Sequence, residues 1–474
     1  MSAAAGRFPT SWLFLEYYVF QRDDDESFPD ESEAPIRASG TTSWGAPFRV
    51  AFSVAVPPRI SRIYALLPEP GFPPRKWSAP IAIMANPHRH LALLLATTSM
   101  PSEGVVQSFS IFRANQSNPS ESSLQRLPPC TEPKFDYYHG DIRRRRPSNG
   151  GTPRLLVIRS LGFWCGDQEE FVVAELTTYG HANKAFAEMC MLRGHCTTTT
   201  TSALHQHQVG GRWKSVRVEI LPADNSADVG LCGWQTDAAI GFQRWLCWID
   251  YRQGILFSDM SNKLQTPTVS FLRFPLDTST TTCNIWYGGA SVVGHGRGLK
   301  FVNVARHDGI SYGPLIPGTG FTITCHTLVL LGVGGMAWKE DYAVTSDELW
   351  DANPPDRLPR GIPMFPRVDV DRPHVLHFIC IEFTNHNTHM GVKEELPCGS
   401  RKIWVVSIDM TTKTVESSYL YIDWNEHPQT DDPDFIIKKC ASSPVPFIPC
   451  EFPRFCYLSR YVILLLPFLS IVTQ

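Results

Sequence analysis

Two carboxylates in the stretch WLCWIDYRQGILFSDM, Asp250 and Asp259, are the residues whose type and spacing come nearest to chemistry. Paired carboxylates hydrolyse glycosidic bonds when they stand roughly 5 to 9.5 Å apart across a cleft. If Asp250 closes one strand and Gly254 opens the next, the hairpin sets Asp259 near Trp245, about five residues down the return strand and roughly 15 Å from Asp250. That spacing excludes a glycosidase pair and points to a turn. An aspartate at a turn start accepts an amide two residues on, and a glycine in the left-handed conformation completes the turn. Trp245 and Trp248 fall on opposite faces of one strand, as suits a sheet covered on both sides. Trp248, Asp250, Gly254 and Asp259 are therefore read as a structural turn motif, and no catalytic residue is assigned.

Other candidates are weaker. His205 and His207 share one side of a strand, but no third ligand lies at a matching spacing, and zinc recruits three or four protein ligands. The pairs His195-Cys196 and His88/His90 offer less, so no metal and no cofactor is expected. The glycines of Gly294-His-Gly-Arg-Gly298 and those from Gly332 to Gly335 lie outside any strand-to-helix junction, the setting in which such glycines cradle phosphate. They read as turns. Arg143 to Arg146 form a basic run that reads as a solvated loop, with nuclear import as the functional alternative. No GxSxG elbow, HExxH pair, Walker loop or kinase set is present.

The elements that must position these residues are strands. The chain has 474 residues, 43% apolar and 19% charged, a globular composition with a formal charge of −3. That balance gives no basic stripe for a nucleic-acid partner. Thirteen cysteines, an odd number without a CxxC pair, fit a reducing, intracellular compartment, cytoplasm or nucleus. The start of the chain reads as a strand from Trp12 rather than a secretory signal, because Glu16 interrupts its apolar run. At the other end, Tyr461 to Val472 is apolar but far shorter than the roughly 20 residues a spanning helix needs.

Runs such as FRVAFSVAV, LALLLATT, RLLVIRSL, WLCWID, LKFVNVA, HVLHFICIEF and IWVVSID are short, rich in β-branched and aromatic residues, and bounded by Gly, Pro, Asp or Asn. Helical patterning is confined to HANKAFAEMCMLRG (181–194) and SDELW (346–350), the latter with Ser346 as N-cap. The fold class is all-β. Several strands are apolar at consecutive positions, so both faces are covered, and a β-propeller of about six to eight antiparallel blades supplies that cover. The segment Trp248-Ile249-Asp250 to Gly254 and the segment Ser407-Ile408-Asp409 to Thr414 read as two copies of a repeated hairpin. A single propeller-like domain is expected over residues 1–458, with 459–474 as an apolar tail. Surface loops are expected at Asp23–Glu33, Asn115–Pro129, Pro133–Pro153 and Thr197–Gly211.

The segment WIDYRQGILFSDM, followed by VSFLRFPLD, resembles the signature of a plant family expanded in grasses, domain of unknown function 1618, in which a Trp-x-Asp turn leads to Gly-Ile-Leu and an aspartate. PPRISRIYALLP, EFVVAEL, WKSVRVEI, GRGLKFVNVARHDG, SDELW and KIWVVSIDMTTKTVESSYLY are similar in their order, so the resemblance runs from about Trp12 to Leu458. Ser258 stands where the family often has Cys, and the end after Leu458 has no counterpart. The resemblance implies a propeller-like protein with no catalytic residues to carry over.

The reading that follows is a non-enzymatic, monomeric interaction scaffold for a protein or peptide. Its rivals are a hydrolase or lyase whose site assembles from distant blades, and a ubiquitin-ligase substrate adaptor without an F-box of its own.

Overall fold

The computed structural model describes residues 6–7, 10–67, 82–100, 104–115, 119–138, 141–144, 153–166, 170–181, 184–196, 211–223, 231, 233–262, 266–276, 285–311, 313–331, 335–383, 401–423, 447–455 and 457–458. Among them the protein is nearly all β, with one α-helix, Ser346–Ala352. The chain divides into two compact units, the first made of 1–249, 255–271 and 450–474, the second of 250–254 and 272–449.

Most of the first unit is a nine-stranded and an eight-stranded sheet, each containing two four-stranded stretches. The first of these joins Leu13–Arg22, Ile60–Leu66, Pro47–Phe52 and Ile36–Thr41, and the next is a meander from Ala82–His88 through Leu91–Met100 and Gly104–Arg113 to Ser122–Arg126. A short parallel contact, Ala38↔Ser122 and Ser39↔Ser123, joins the two. The third meander runs Leu161–Cys165, Glu170–His181, Lys184–His195 and Lys214–Pro222, and the fourth, apart from residues 250, 254 and 272–273, which fall in the second unit, Ala238–Phe242, Trp245–Asp250, Gly254–Asp259 and Val269–Arg273. They too meet in parallel, through Ile220↔Val269.

The second unit holds two more antiparallel meanders. One contains Gly288–Val293, Gly298–Arg306, Phe321–Leu330 and Met336–Thr345; the other contains Pro363–Val368, Val375–Phe383, Arg401–Asp409 and Thr414–Asp423. Four-stranded sheets of this kind are the blades from which propellers are built. The nine- and eight-stranded sheets of the first unit contain four such stretches, one of them with the parallel pair Leu13–Arg22 and Ile60–Leu66, and the second unit holds two as separate sheets. Their first strands meet closely: Phe365 N donates to Trp286 O at 2.7 Å, Val368 N to Ser291 Oγ at 3.1 Å and Gly294 N to Val370 O at 2.8 Å. A Cβ on Gly289 would lie 2.0 Å from Pro366 O, so only glycine fits that approach.

Consecutive apolar residues do mark strands covered on both faces: every residue of Leu91–Leu95 and of Trp245–Asp250 is buried. The same fact overturns the helix expected over 181–194. Lys184–His195 is a strand paired along its length with Glu170–His181. Ala185, Ala187, Met189 and Met191 enter one core while Cys190 and Leu192 enter another, which is the period of a strand. Two filled faces hid that alternation.

The helix at 346–352 forms, but its cap is Thr345 rather than Ser346. Glu348 N donates to Thr345 Oγ1 at 3.4 Å and Thr345 N donates to Glu348 Oε2 at 2.9 Å, a capping box. RLLVIRSL is not a strand: 158–160 is a 3-10 turn, and Leu156 exchanges its backbone hydrogen bonds with the Gln107 amide at 2.8 and 2.9 Å. Two expected loops contain strands. Asn115–Pro129 includes Ser122–Arg126, and Pro133–Pro153 includes the hairpin of Phe135–Tyr138 with Asp141–Arg144. Residues 145–146, 197–210 and 459–474 lie outside the described residues. No helix among the described residues is long and apolar enough to cross a membrane.

Candidate functional site

The turn residues come first. Asp250 is fully buried; its Oδ1 accepts Arg252 N at 2.9 Å and its Oδ2 accepts the Gln253 side-chain amide at 2.9 Å. Asp259 accepts Ser261 N at 2.9 Å and stands 3.3 Å from Arg244 Nε, one residue before Trp245. The two aspartates thus have separate partners. Gly254 does not take the left-handed conformation; it is the first residue of its strand, and the left-handed glycines nearby in sequence are Gly233 and Gly294. Trp248 is buried, and its Nε1 donates to Ser160 O at 2.8 Å.

The two look-alike hairpins share a turn but not a place in their meanders. Asp250 ends the second strand of its sheet, whereas Asp409 ends the third of its own. Asp409 Oδ1 accepts Thr411 N at 2.8 Å, the same bond across two residues. What recurs is the Asx turn.

The arrangement closest to a catalytic relay escaped the sequence reading. In the second unit, His377 Nδ1 stands 2.8 Å from Ser407 Oγ, and His377 Nε2 stands 3.3 Å from Asp369 Oδ2. His377 and Ser407 are directly opposite on paired strands, and Asp369 follows the strand Pro363–Val368. A serine, a histidine and a carboxylate in series are the parts of a nucleophilic triad. Here, however, His377 and Ser407 are each 1% exposed. Asp369 Oδ1 also receives Asp371 N and Arg372 N, both at 2.9 Å. Burial alone would raise the Asp369 pKa; the bonds from His377 and from those amides outweigh it and hold the carboxyl below its ordinary value.

A second cluster in this unit shapes a loop. Arg306 holds Asp308 through Nε at 2.8 Å and Nη2 at 2.6 Å, and its remaining N–H groups reach Tyr287 Oη, Gly313 O and Pro314 O. Both side chains of the pair are 0% exposed. Asp308 in turn accepts Ile310 N at 3.1 Å and Ile316 N at 3.2 Å. The Arg306 bond, helped by those amides, lowers the Asp308 pKa to about 2. The loop after Arg306 is thereby pinned, while Ile310 and Ile316 remain 38% and 44% exposed.

The first unit buries a charged cluster. Arg154 bridges Glu175 and Glu188, and Glu188 also receives Ser215 Oγ, Phe135 N at 3.1 Å and Tyr179 Oη at 3.2 Å. Burial would lower the Arg154 pKa, but the two carboxylates hold it above its ordinary value. His88 belongs to the same unit, accepting Cys165 N on Nδ1 at 3.0 Å; burial, with Arg89 and His90 beside it, lowers its pKa to about 3. No group of three or more potential metal ligands occurs among the described residues. His205 and His207 lie outside them.

No curated protein matches the chain. Among solved structures, a crystal structure of a B. megaterium levansucrase mutant aligns over 86% of this chain and 92% of its own, with 9% identity and a TM-score of 0.26, and no property of that enzyme is carried over. Residues 248–377, from Trp248 of the turn to His377 of the relay, match the family described as protein of unknown function (DUF1618).

Proposed function

We propose that this protein is a non-enzymatic interaction scaffold that binds a protein or peptide through apolar residues on a preorganised loop. The observation that carries the reading is the loop after Arg306. Its isoleucines face solvent while a fully buried ion pair holds their backbone amides. A loop fixed before binding loses little conformational entropy on association, which is how rigid scaffolds gain affinity. In this reading Trp248, Asp250, Gly254 and Asp259 serve the frame. A plant origin belongs to the proposal on the family resemblance, and an intracellular location on the free thiols of Cys130, Cys190, Cys247, Cys325 and Cys380.

The test is proximity labelling with the full chain, comparing the native protein with an Ile310→Asp/Ile316→Asp variant of unchanged unfolding midpoint. The proposal expects a reproducible set of labelled proteins that the variant loses at least tenfold. Equal labelling by both proteins overturns it.

One observation favours hydrolysis as the second reading: the Asp369, His377 and Ser407 distances are those of a working relay. Ser407 at 1% exposure argues against it, because a nucleophile must reach its substrate.

A further inference from the structure

We propose that Cys130 and Cys190 form a redox modification site, closing to an intramolecular disulfide when the protein meets a peroxide. Their Sγ atoms stand 3.5 Å apart in the core of the first unit. Cys190 lies mid-strand in Lys184–His195, and Cys130 lies in the connecting segment before Phe135, one residue from the exposed Thr131. Two free thiols at this separation need only a small approach of the connecting segment to reach bonding distance.

The surroundings divide the roles. Either thiol can donate across this contact, which lowers the Cys130 pKa against the effect of burial, with the Glu132 amide and Arg154 assisting. The same bond, together with burial, raises the Cys190 pKa. Cys130 is itself only 1% exposed, but it adjoins the exposed Thr131 in a connecting segment, where a molecule as small as hydrogen peroxide reaches it on a local opening; Cys130 is therefore the nucleophile and the mid-strand Cys190 the resolving thiol. The Cys130 thiolate attacks one oxygen of hydrogen peroxide, the O–O bond breaks, and hydroxide leaves; Cys130 is now a sulfenic acid. Cys190 then attacks the Cys130 sulfur, the S–O bond breaks, and the Cys190 proton goes to the departing oxygen as water. Two thiols and one peroxide give one disulfide and two waters: the sulfurs lose two electrons and the peroxide gains them. Because Cys130 O accepts Arg154 N at 2.6 Å, the cross-link would also tie the Arg154 cluster to the strand. This inference is independent of the interaction reading.

The full chain is treated with hydrogen peroxide, unfolded without reductant, alkylated with iodoacetamide and mapped by mass spectrometry. A peptide joining Cys130 to Cys190 is expected, with two fewer alkylated thiols than the 13 of the untreated chain, both changes reversed by dithiothreitol. Cys190→Ser should leave a Cys130 sulfenic acid that dimedone traps, and Cys196→Ser should keep the cross-link. Full alkylation of Cys130 and Cys190 after treatment, or Cys130 joined to another cysteine, overturns the proposal. The native chain's map decides the matter even if a variant fails to fold.

Discussion

The cluster around Arg154 and the relay around His377 bury similar chemistry by opposite means. In the first unit one guanidinium bridges two carboxylates drawn from facing strands, and the partners are gathered from across the sequence, from Phe135 and Arg154 to Glu175, Glu188 and Ser215. In the second unit a hydroxyl and an imidazole are strung onto one aspartate, whose remaining bonds go to the amides of its own turn and, at 3.4 Å, to the guanidinium of Arg372 in the same turn. The first depends on charge balance and the second on local turn geometry. Their tolerance of substitution should differ accordingly.

Arg154→Met breaks the charged cluster at its centre and should produce the largest effect, about 3–5 kcal/mol of destabilisation, because it strands buried carboxylates. Urea unfolding measures it. Adding Glu188→Gln to that variant should recover about 1 kcal/mol or more, since it removes a charge with no partner. If the second substitution instead adds its own full cost, charge balance is not what holds the cluster.

Acid unfolding sharpens the contrast by separating two kinds of buried group. Asp308 has a folded pKa of about 2 against an ordinary 3.8, so its contribution is full above pH 3.8 and is lost as the pH falls toward 2. The loss amounts to about 2 kcal/mol. His88 is depressed from 6.5 to about 3, so protonation of the unfolded chain erodes stability earlier, as the pH falls below 6.5 toward 3. Asp308→Asn should shrink the lower limb by its share of about 2 kcal/mol and leave the upper one, read from unfolding midpoints measured across pH. Ser407→Ala should cost least, about 1–2 kcal/mol, since it removes one hydrogen bond from His377.

The same contrast governs what could be read from the sequence. Strand class and two-sided burial were legible because LALLL and WLCWID carry apolar residues at every position, and the Asp250 turn was legible because its partners lie within three residues. The relay went unread. Asp369 and His377 are eight residues apart, but Ser407 joins them only through the register of two long strands. Nothing in one sequence announces that Arg154 meets Glu175 and Glu188, because sheet pairing brings them together. The lost helix at 181–194 has a related cause: alanine, methionine and cysteine fill both strand faces and also satisfy a helical pattern.

Whether the polar groups inside this fold serve structure or catalysis is decided most directly at Ser407. A fluorophosphonate probe applied to the native full chain, followed by peptide mapping, should leave Ser407 unmodified while Ser407→Ala lowers the unfolding midpoint. Stoichiometric labelling of Ser407, abolished by Asp369→Asn in a folded variant, would contradict the account and make the relay a hydrolytic site.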